Sequence, residues 1–274
     1  MTAAPFSDLL RVAPGSAPDL AAADTGATPG FEGDKTAAHE RLKALRRELA
    51  AFQERLWAEQ RQSLLVVLQA LDAGGKDGLI RKVVTAFNPQ GTRVTGFGVP
   101  SAEELRHDYL WRVHAATPGR GRIGVFNRSH YEDVLVVRVN ELVPEAVWSR
   151  RYEQINAFEA HLAANGTRIV KFYLHVGRDE QRERFLKRLT DPEKHWKWSS
   201  GDLETRAKWD EFVAAYTDAL ARCSTDVAPW FVVPADRKWY RDLAVAEVLG
   251  ETARDMDPQW PAAEEDLSGI VVPV

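Results

Sequence analysis

The stretch SLLVVLQALDAGGKDGLIRK, from Ser63 to Lys82, constrains this chain more than any other. Its first eight residues form an apolar run without a polar face, which suits a strand buried on both sides. Gly74, Gly75 and Gly78 follow, and then residues that suit a helix. A glycine-rich turn between a buried strand and a helix offers several backbone N–H groups and the positive helix end to one anion, and Lys76 adds a mobile charge. The glycines admit a phosphate where a Cβ would obstruct it. Two positions depart from the standard phosphate-binding pattern: Ala70 stands at its first glycine and Asp77 at its hydroxyl. The same residues also fit a plain strand-to-helix turn, with Asp77 merely favouring the helix start.

Beyond this unit, apolar runs alternate with helix-like segments: TRVTGFG, a helix from Ser101 with Glu104 completing a capping box, RIGVF, a long helix around PEAVWSRRYEQINAFEAHLAANG, TRIVKFYLHV, and WFVVPA before a last helix near Lys238. That alternation predicts an α/β fold with a parallel sheet. Leu42, Leu45, Leu49, Phe52 and Leu56 form one helical stripe, which folds onto the core or pairs with a partner. An Ala/Pro/Gly/Asp-rich composition predicts an irregular N-terminal arm over residues 1–35. A single domain is expected over 36–257, with an excursion at about 178–222 placed to act as a lid, and a tail over 258–274.

With 274 residues, of which 45% are hydrophobic, the chain can bury a large core. Its net charge of -4 argues against coating nucleic acid or an anionic membrane. A lone cysteine, Cys223, allows no intrachain disulfide. No apolar run reaches the roughly 18 residues of a membrane span. A cytoplasmic protein is expected.

In phosphate-loop enzymes a second strand ends in polar groups beside the loop, and RIGVFNRSHYED has that form, with Asn127 where an Asp usually helps hold magnesium. Asp72 is the natural replacement. Carboxylates such as Asp72 and Asp77 beside phosphate are costly unless Mg²⁺ lies between them. Arg128 would supply a planar donor to a phosphoryl oxygen. Arg178, Arg182, Arg184, Lys187, Arg188, Lys194 and Lys197 concentrate positive charge in the excursion. They read as a track for a linear polyanion or as a solvated face balanced by Asp179, Glu180 and Glu183. Ser129 lacks a nucleophile-elbow pattern. The histidines lack metal-ligand spacing, and Trp196 and Trp198 are expected to pack.

Five ordered blocks, LDAGGKDG, NPQG, LWRVH, GVFNRSHYEDVLVVRV and RLTDPEKHWKWS, resemble the polyphosphate kinase 2 family, in its branch that phosphorylates both nucleoside mono- and diphosphates. The resemblance implies a P-loop kinase-like three-layer α/β/α fold with a helical lid, inorganic polyphosphate as donor, and AMP, ADP and ATP as nucleotide partners. It also implies Mg²⁺, with Mn²⁺ as a substitute, and a dimer or tetramer. Carried over, Asp72, Lys76, Arg128 and Arg188 would be catalytic, and Asp72 and Asn127 would hold metal. Phosphate contacts would come from Ala73, Gly74, Gly75, Lys76, Asp77, Gly78, Arg81, Lys82, Arg128, Arg178, Arg182, Arg188 and Lys194. Glu132, with Asn127, would govern acceptor choice. Two rivals remain at this point: an ATP-using nucleoside monophosphate kinase, which would share the fold, and a non-catalytic nucleotide-binding module.

Overall fold

The computed structural model describes residues 4–268, 270, 272 and 273. Five strands form one parallel sheet: β1 (Ser63–Gln69), β2 (Thr92–Gly96), β3 (Ile123–Asn127), β4 (Thr167–His175) and β5 (Trp230–Pro234), in the order β2-β3-β1-β4-β5. Among the described residues the helices are α1 (Phe6–Leu10), α2 (Lys35–Glu59), α3 (Lys76–Lys82), α4 (Trp111–His114), α5 (Val136–Val139), α6 (Glu145–Trp148), α7 (Arg151–Ala164), α8 (Arg178–Thr190), α9 (Gly201–Ala207), α10 (Trp209–Cys223) and α11 (Lys238–Met256).

Every residue of β1 is buried, as its unbroken apolar run demands. The side chains alternate between two cores: Leu64, Val66 and Leu68 join α2, α3 and α11, whereas Leu65 and Val67 join α7 and α10. This gives three layers, α/β/α. The stripe of α2 is fully used within the molecule, since Leu42, Leu45, Leu49, Phe52 and Leu56 are all buried and α2 lies along α11. Asp34 starts that helix by accepting from the Ala37 amide at 2.8 Å.

The N-terminal arm differs from the expectation over 1–35. It includes α1, and Phe6, Leu10, Val12 and Leu20 are buried. Glu251 accepts from the amides of Phe6 and Ser7 at 2.8 Å each, and Arg11 bridges antiparallel to Phe231. Composition predicted little packing because the arm's few apolar residues are far apart; they suffice because the domain supplies the pockets. Residues 1–3 of the arm, and 269, 271 and 274 of the expected C-terminal tail, lie outside the described residues.

The excursion over 178–222 is also corrected. Trp209, Phe212, Ala215, Tyr216, Ala219, Leu220 and Cys223 bury one face of α10 in the second core, so the part standing clear of the sheet runs from the second half of α8 through α9. Ser101 and Glu104 do exchange the two hydrogen bonds of a capping box, at 2.7 and 3.2 Å, but the helix they start is a single 3-10 turn, Glu104–Arg106. The long helix expected after Pro144 is split into α6 and α7 at Ser149 and Arg150.

Candidate active site at the carboxyl ends of the strands

Because the strands are parallel, the residues that follow β1, β3, β4 and β5 gather at one edge of the sheet. The register aligns Leu68 with Asn127 and Gln69 with Tyr173, which brings the turn after β1 beside the turn after β3. Gly75 lies at φ 105°, where an L side chain is strained, and a Cβ there would stand 2.0 Å from Arg241 Nη1. Ala73, at φ 58°, holds a left-handed conformation without that exemption, at a cost on the order of 1 kcal/mol. The amides of Gly75, Lys76, Asp77 and Gly78 meet no protein acceptor among the described residues. Four successive unpaired donors therefore line one cleft, the arrangement that binds an anion.

Lys76 folds back over the turn and donates to Ala70 O at 3.0 Å. Burial lowers its pKa to about 8, and nearby Arg128 adds to the effect, while Asp72, Glu132 and Asp77 oppose it. An arriving phosphate would favour the charged form. Arg128 is held at φ 62° by its amide bond to Leu68 O at 3.1 Å. Its guanidinium donates to Asp72 Oδ1 at 2.8 Å and stands 3.6 Å from Glu132, and these two carboxylates, Glu132 foremost, raise its pKa. Burial raises the pKa of Glu132, with Arg128 pulling the other way.

The two departures noted in the sequence face each other: Asn127 Nδ2 donates to Asp77 Oδ1 at 3.0 Å. Ser129 is structural, its hydroxyl accepting from the Tyr131 amide and from Gln69 Nε2, each at 3.2 Å. Behind this turn Lys171 Nζ is fully buried against Glu159 at 2.5 Å and Tyr131 Oη at 2.8 Å, and His130 meets the same carboxylate at 3.2 Å. This network anchors the residues that flank Arg128 and Glu132.

The cleft over this turn has a volume of about 370 Å³. Its walls include Asp72, Ala73, Gly74, Gly75, Lys76, Asp77, Gly78, Asn127, Arg128, Arg188 and Lys194, together with Arg184, Lys187, Lys197 and Lys238. Eight cationic side chains thus face two carboxylates. Arg188 donates to Asp202 at 2.5 Å and to Lys197 O at 3.2 Å, and Lys197 Nζ lies 3.7 Å from Asp77, which ties the raised helices to the turn.

Arg81, Lys82, Arg178 and Arg182 do not line this cleft. The last turn of α3 stands against α2, where Arg46 donates to Lys82 O. Arg182 is about 200° around α8 from Arg184 at 3.6 residues per turn, so the two cannot share a face. Arg182 pairs with Glu183 at 3.9 Å, and Arg178 lies over the Trp209 ring at 5.6 Å. Lys238 was not anticipated from sequence. Its signal was available, since it opens the helix after the last strand and so reaches the same sheet edge. Trp198 packs edge-on to Phe185 at 6.3 Å as expected, whereas Trp196 is 78% exposed.

A second cavity of about 410 Å³ lies beyond Asp72 and Arg128, the two residues that line both among the described residues. Leu71, Val99, Leu135, Val136, Phe212 and Tyr216 make much of its wall, and Glu132, Asp202 and Glu204 give it an acidic balance.

No group of three or more His, Cys, Asp or Glu poised for a metal occurs among the described residues. Asp72 Oδ1 is taken by Arg128, while Oδ2 has no partner among the described residues. That suits Mg²⁺, which commonly takes one or two carboxylates and completes its shell with phosphate oxygens and water. With its Nδ2 on Asp77, Asn127 keeps an oxygen to offer.

A family model described as polyphosphate kinase 2 matches residues 32–261. The AMP/ADP-polyphosphate phosphotransferase of Meiothermus ruber is 51% identical over 262 residues, covering 96% of this chain and 98% of that protein. The ADP-polyphosphate phosphotransferase of Rhodopseudomonas palustris is 46% identical, covering 92% and 91%. A crystal structure of polyphosphate kinase 2 from Arthrobacter aurescens superposes with a TM-score of 0.94 at 44% identity, over 97% of this chain and 95% of that one.

Proposed function

The chain belongs to the polyphosphate kinase 2 family, and on that premise we propose that it transfers the terminal phosphoryl group of inorganic polyphosphate to AMP and ADP, reversibly, where the two clefts meet. The observation that carries this is the meeting itself: among the described residues, a cationic cleft and an acidic cavity walled in part by apolar side chains share only Asp72 and Arg128. A long polyanion suits the first, and a nucleotide with its flat apolar base suits the second.

In the proposed mechanism the four unpaired amides and Lys76 hold the transferring phosphoryl group. Arg128 reaches it from the boundary between donor and acceptor, and Arg188 adds charge from the lid side. Such preorganised donors act on charge developing in transfer, each contributing about 2.7–4 kcal/mol. The acceptor phosphate is already ionised at neutral pH, so alignment for in-line attack matters more than proton removal. Asp72 and Asn127 are the side chains assigned to Mg²⁺, or Mn²⁺ in its place. A bound divalent ion would screen the repulsion between two anionic reactants. Glu132, half-buried beside Arg128 in the second cavity, is assigned to acceptor choice.

A cytoplasmic dimer or tetramer completes the proposal. No helix among the described residues is long and apolar enough to cross a membrane, and the edge strand β2 leaves Val94 46% exposed for a partner. Incubating the protein with AMP, Mg²⁺ and long-chain polyphosphate, without ATP, tests the function: ADP and then ATP should accumulate. ADP formed only when ATP is supplied would identify the nucleoside monophosphate kinase instead, and nucleotide binding without turnover would identify the non-catalytic module.

A further inference from the structure

α8 begins at the end of β4 and runs past the phosphate-binding turn before it joins the raised helices. Two of its side chains are buried although both are polar, Gln181 at 1% and Arg184 at 7% exposure. Buried polar groups persist where their hydrogen bonds are made, and here the acceptors are three consecutive carbonyls of the turn. Gln181 Nε2 donates to Asp72 O at 2.8 Å, and Arg184 Nη1 donates to Ala73 O at 2.9 Å and Gly74 O at 3.1 Å.

The orientation of both groups is secured from outside the turn. Arg206, which can only donate, holds Gln181 Oε1 at 2.8 Å, and this directs the amide nitrogen toward Asp72 O. Arg184 uses its remaining donors on Ala235 O at 2.6 Å, Asp236 O at 3.2 Å and Glu180 at 2.7 Å. All five N–H groups of this guanidinium are therefore spoken for. Although Arg184 borders the cationic cleft, it has no donor left for a phosphate.

We infer that Gln181 and Arg184 are positioning residues: by drawing three carbonyls of the turn toward α8 they hold Ala73 in its left-handed conformation and leave the next four amides unpaired for phosphate. The first half of α8 thus belongs with the phosphate-binding turn rather than with a moving lid. Arg188, one helical turn onward, has its position relative to the turn set by the same helix. The inference builds on the proposed phosphotransfer and adds to it the part that shapes the donor site.

Arg184→Met and Arg184→Lys separate positioning from charge. A lysine keeps the positive charge but cannot span carbonyls from the turn to β5. Both variants should lose about 30-fold or more in kcat, with the KM for AMP changed less than about twofold, because a misaligned donor lowers turnover without disturbing the second cavity. Recovery of more than half of the wild-type kcat by Arg184→Lys would overturn the inference. Backbone order parameters of residues 73–78, measured by NMR relaxation, should be near about 0.85 in the wild type and fall toward about 0.6 in Arg184→Met, while β1 is unchanged. A turn that stays equally rigid would also overturn it. Gln181→Met, which removes one of the three bonds, should move both readouts in the same direction by less, and it decides the matter if Arg184→Met does not fold. If the wild type shows no polyphosphate-dependent turnover, the proposed function fails, and the order parameters still decide this inference.

Discussion

The two cavities that meet at Asp72 and Arg128 are built from opposed chemistry. On one side, unpaired amides and eight cationic side chains leave only two carboxylates to balance them. On the other, aromatic and aliphatic walls carry Glu132, Asp202 and Glu204 against the single shared arginine. Both lie at the same edge of one sheet, so the backbone layout does not distinguish them. What does is which element supplies the wall: α3, α8 and the start of α11 on the first side, α5, α9 and α10 on the second. On the proposed assignment, reactants of like charge are held side by side because each is received by a surface suited to a different part of it.

If this contrast governs the chemistry, substitutions should sort by side. Lys76→Ala should reduce kcat by about 10²–10³-fold with AMP and ADP alike, the loss expected for removing one preorganised donor from the transferring group. A purified variant with near-normal turnover would remove Lys76 from that role. Joint replacement of Lys187, Lys197 and Lys238 by Ala should raise the KM for polyphosphate by about 10–30-fold and flatten its dependence on salt, since exposed charges attract a polyanion through screened fields. The KM for AMP should stay within about twofold, and an equal rise in both would erase the distinction between the clefts.

Lys76 also predicts a pH dependence on the donor side. With its pKa lowered to about 8, the lysine of the free enzyme loses its charge as pH rises through that value, so kcat/KM for polyphosphate should fall by roughly tenfold from pH 7.5 to 9. A flat profile over that range would show that the charge on Lys76 does not limit donor capture. Glu132→Gln should alter the ratio of kcat/KM for AMP to that for ADP by about fivefold while sparing the KM for polyphosphate, because it removes a negative charge beside the acceptor phosphates. The smallest effect is expected from replacing Arg178 and Arg182 together by Ala: less than about twofold in any constant, as exposed ion pairs contribute little. A tenfold rise in the KM for polyphosphate would extend the donor track along the outer face of α8.

Much of this site was legible before the fold was known. The turn, Lys76, Asp72, Asn127 and Arg128 follow directly after two apolar strands, and a parallel sheet must bring such ends together. The lid arginines were only half legible. Spacing by four identifies neighbours along a helix, but which face meets the turn depends on how α8 docks, and Arg178 and Arg182 fell on the wrong side of it. Arg184 read as one charge among seven, and only its buried contacts with four carbonyls separate it from the rest. The arm was misjudged for a related reason, since sparse apolar residues such as Val12 and Leu20 become core once the domain offers a place for them.

Residue order alone settled the fold class, the strand–glycine turn–helix unit and the family likeness, because each depends on groups close together in the chain, where local geometry leaves few alternatives. Tertiary structure alone decided that the substitutions Asp77 and Asn127 contact each other, that Lys238 joins the cleft, and that α10 belongs to the core. These depend on the docking angle of a helix or the meeting of distant segments, and burial of whole faces selects among such arrangements only when all the elements are present together.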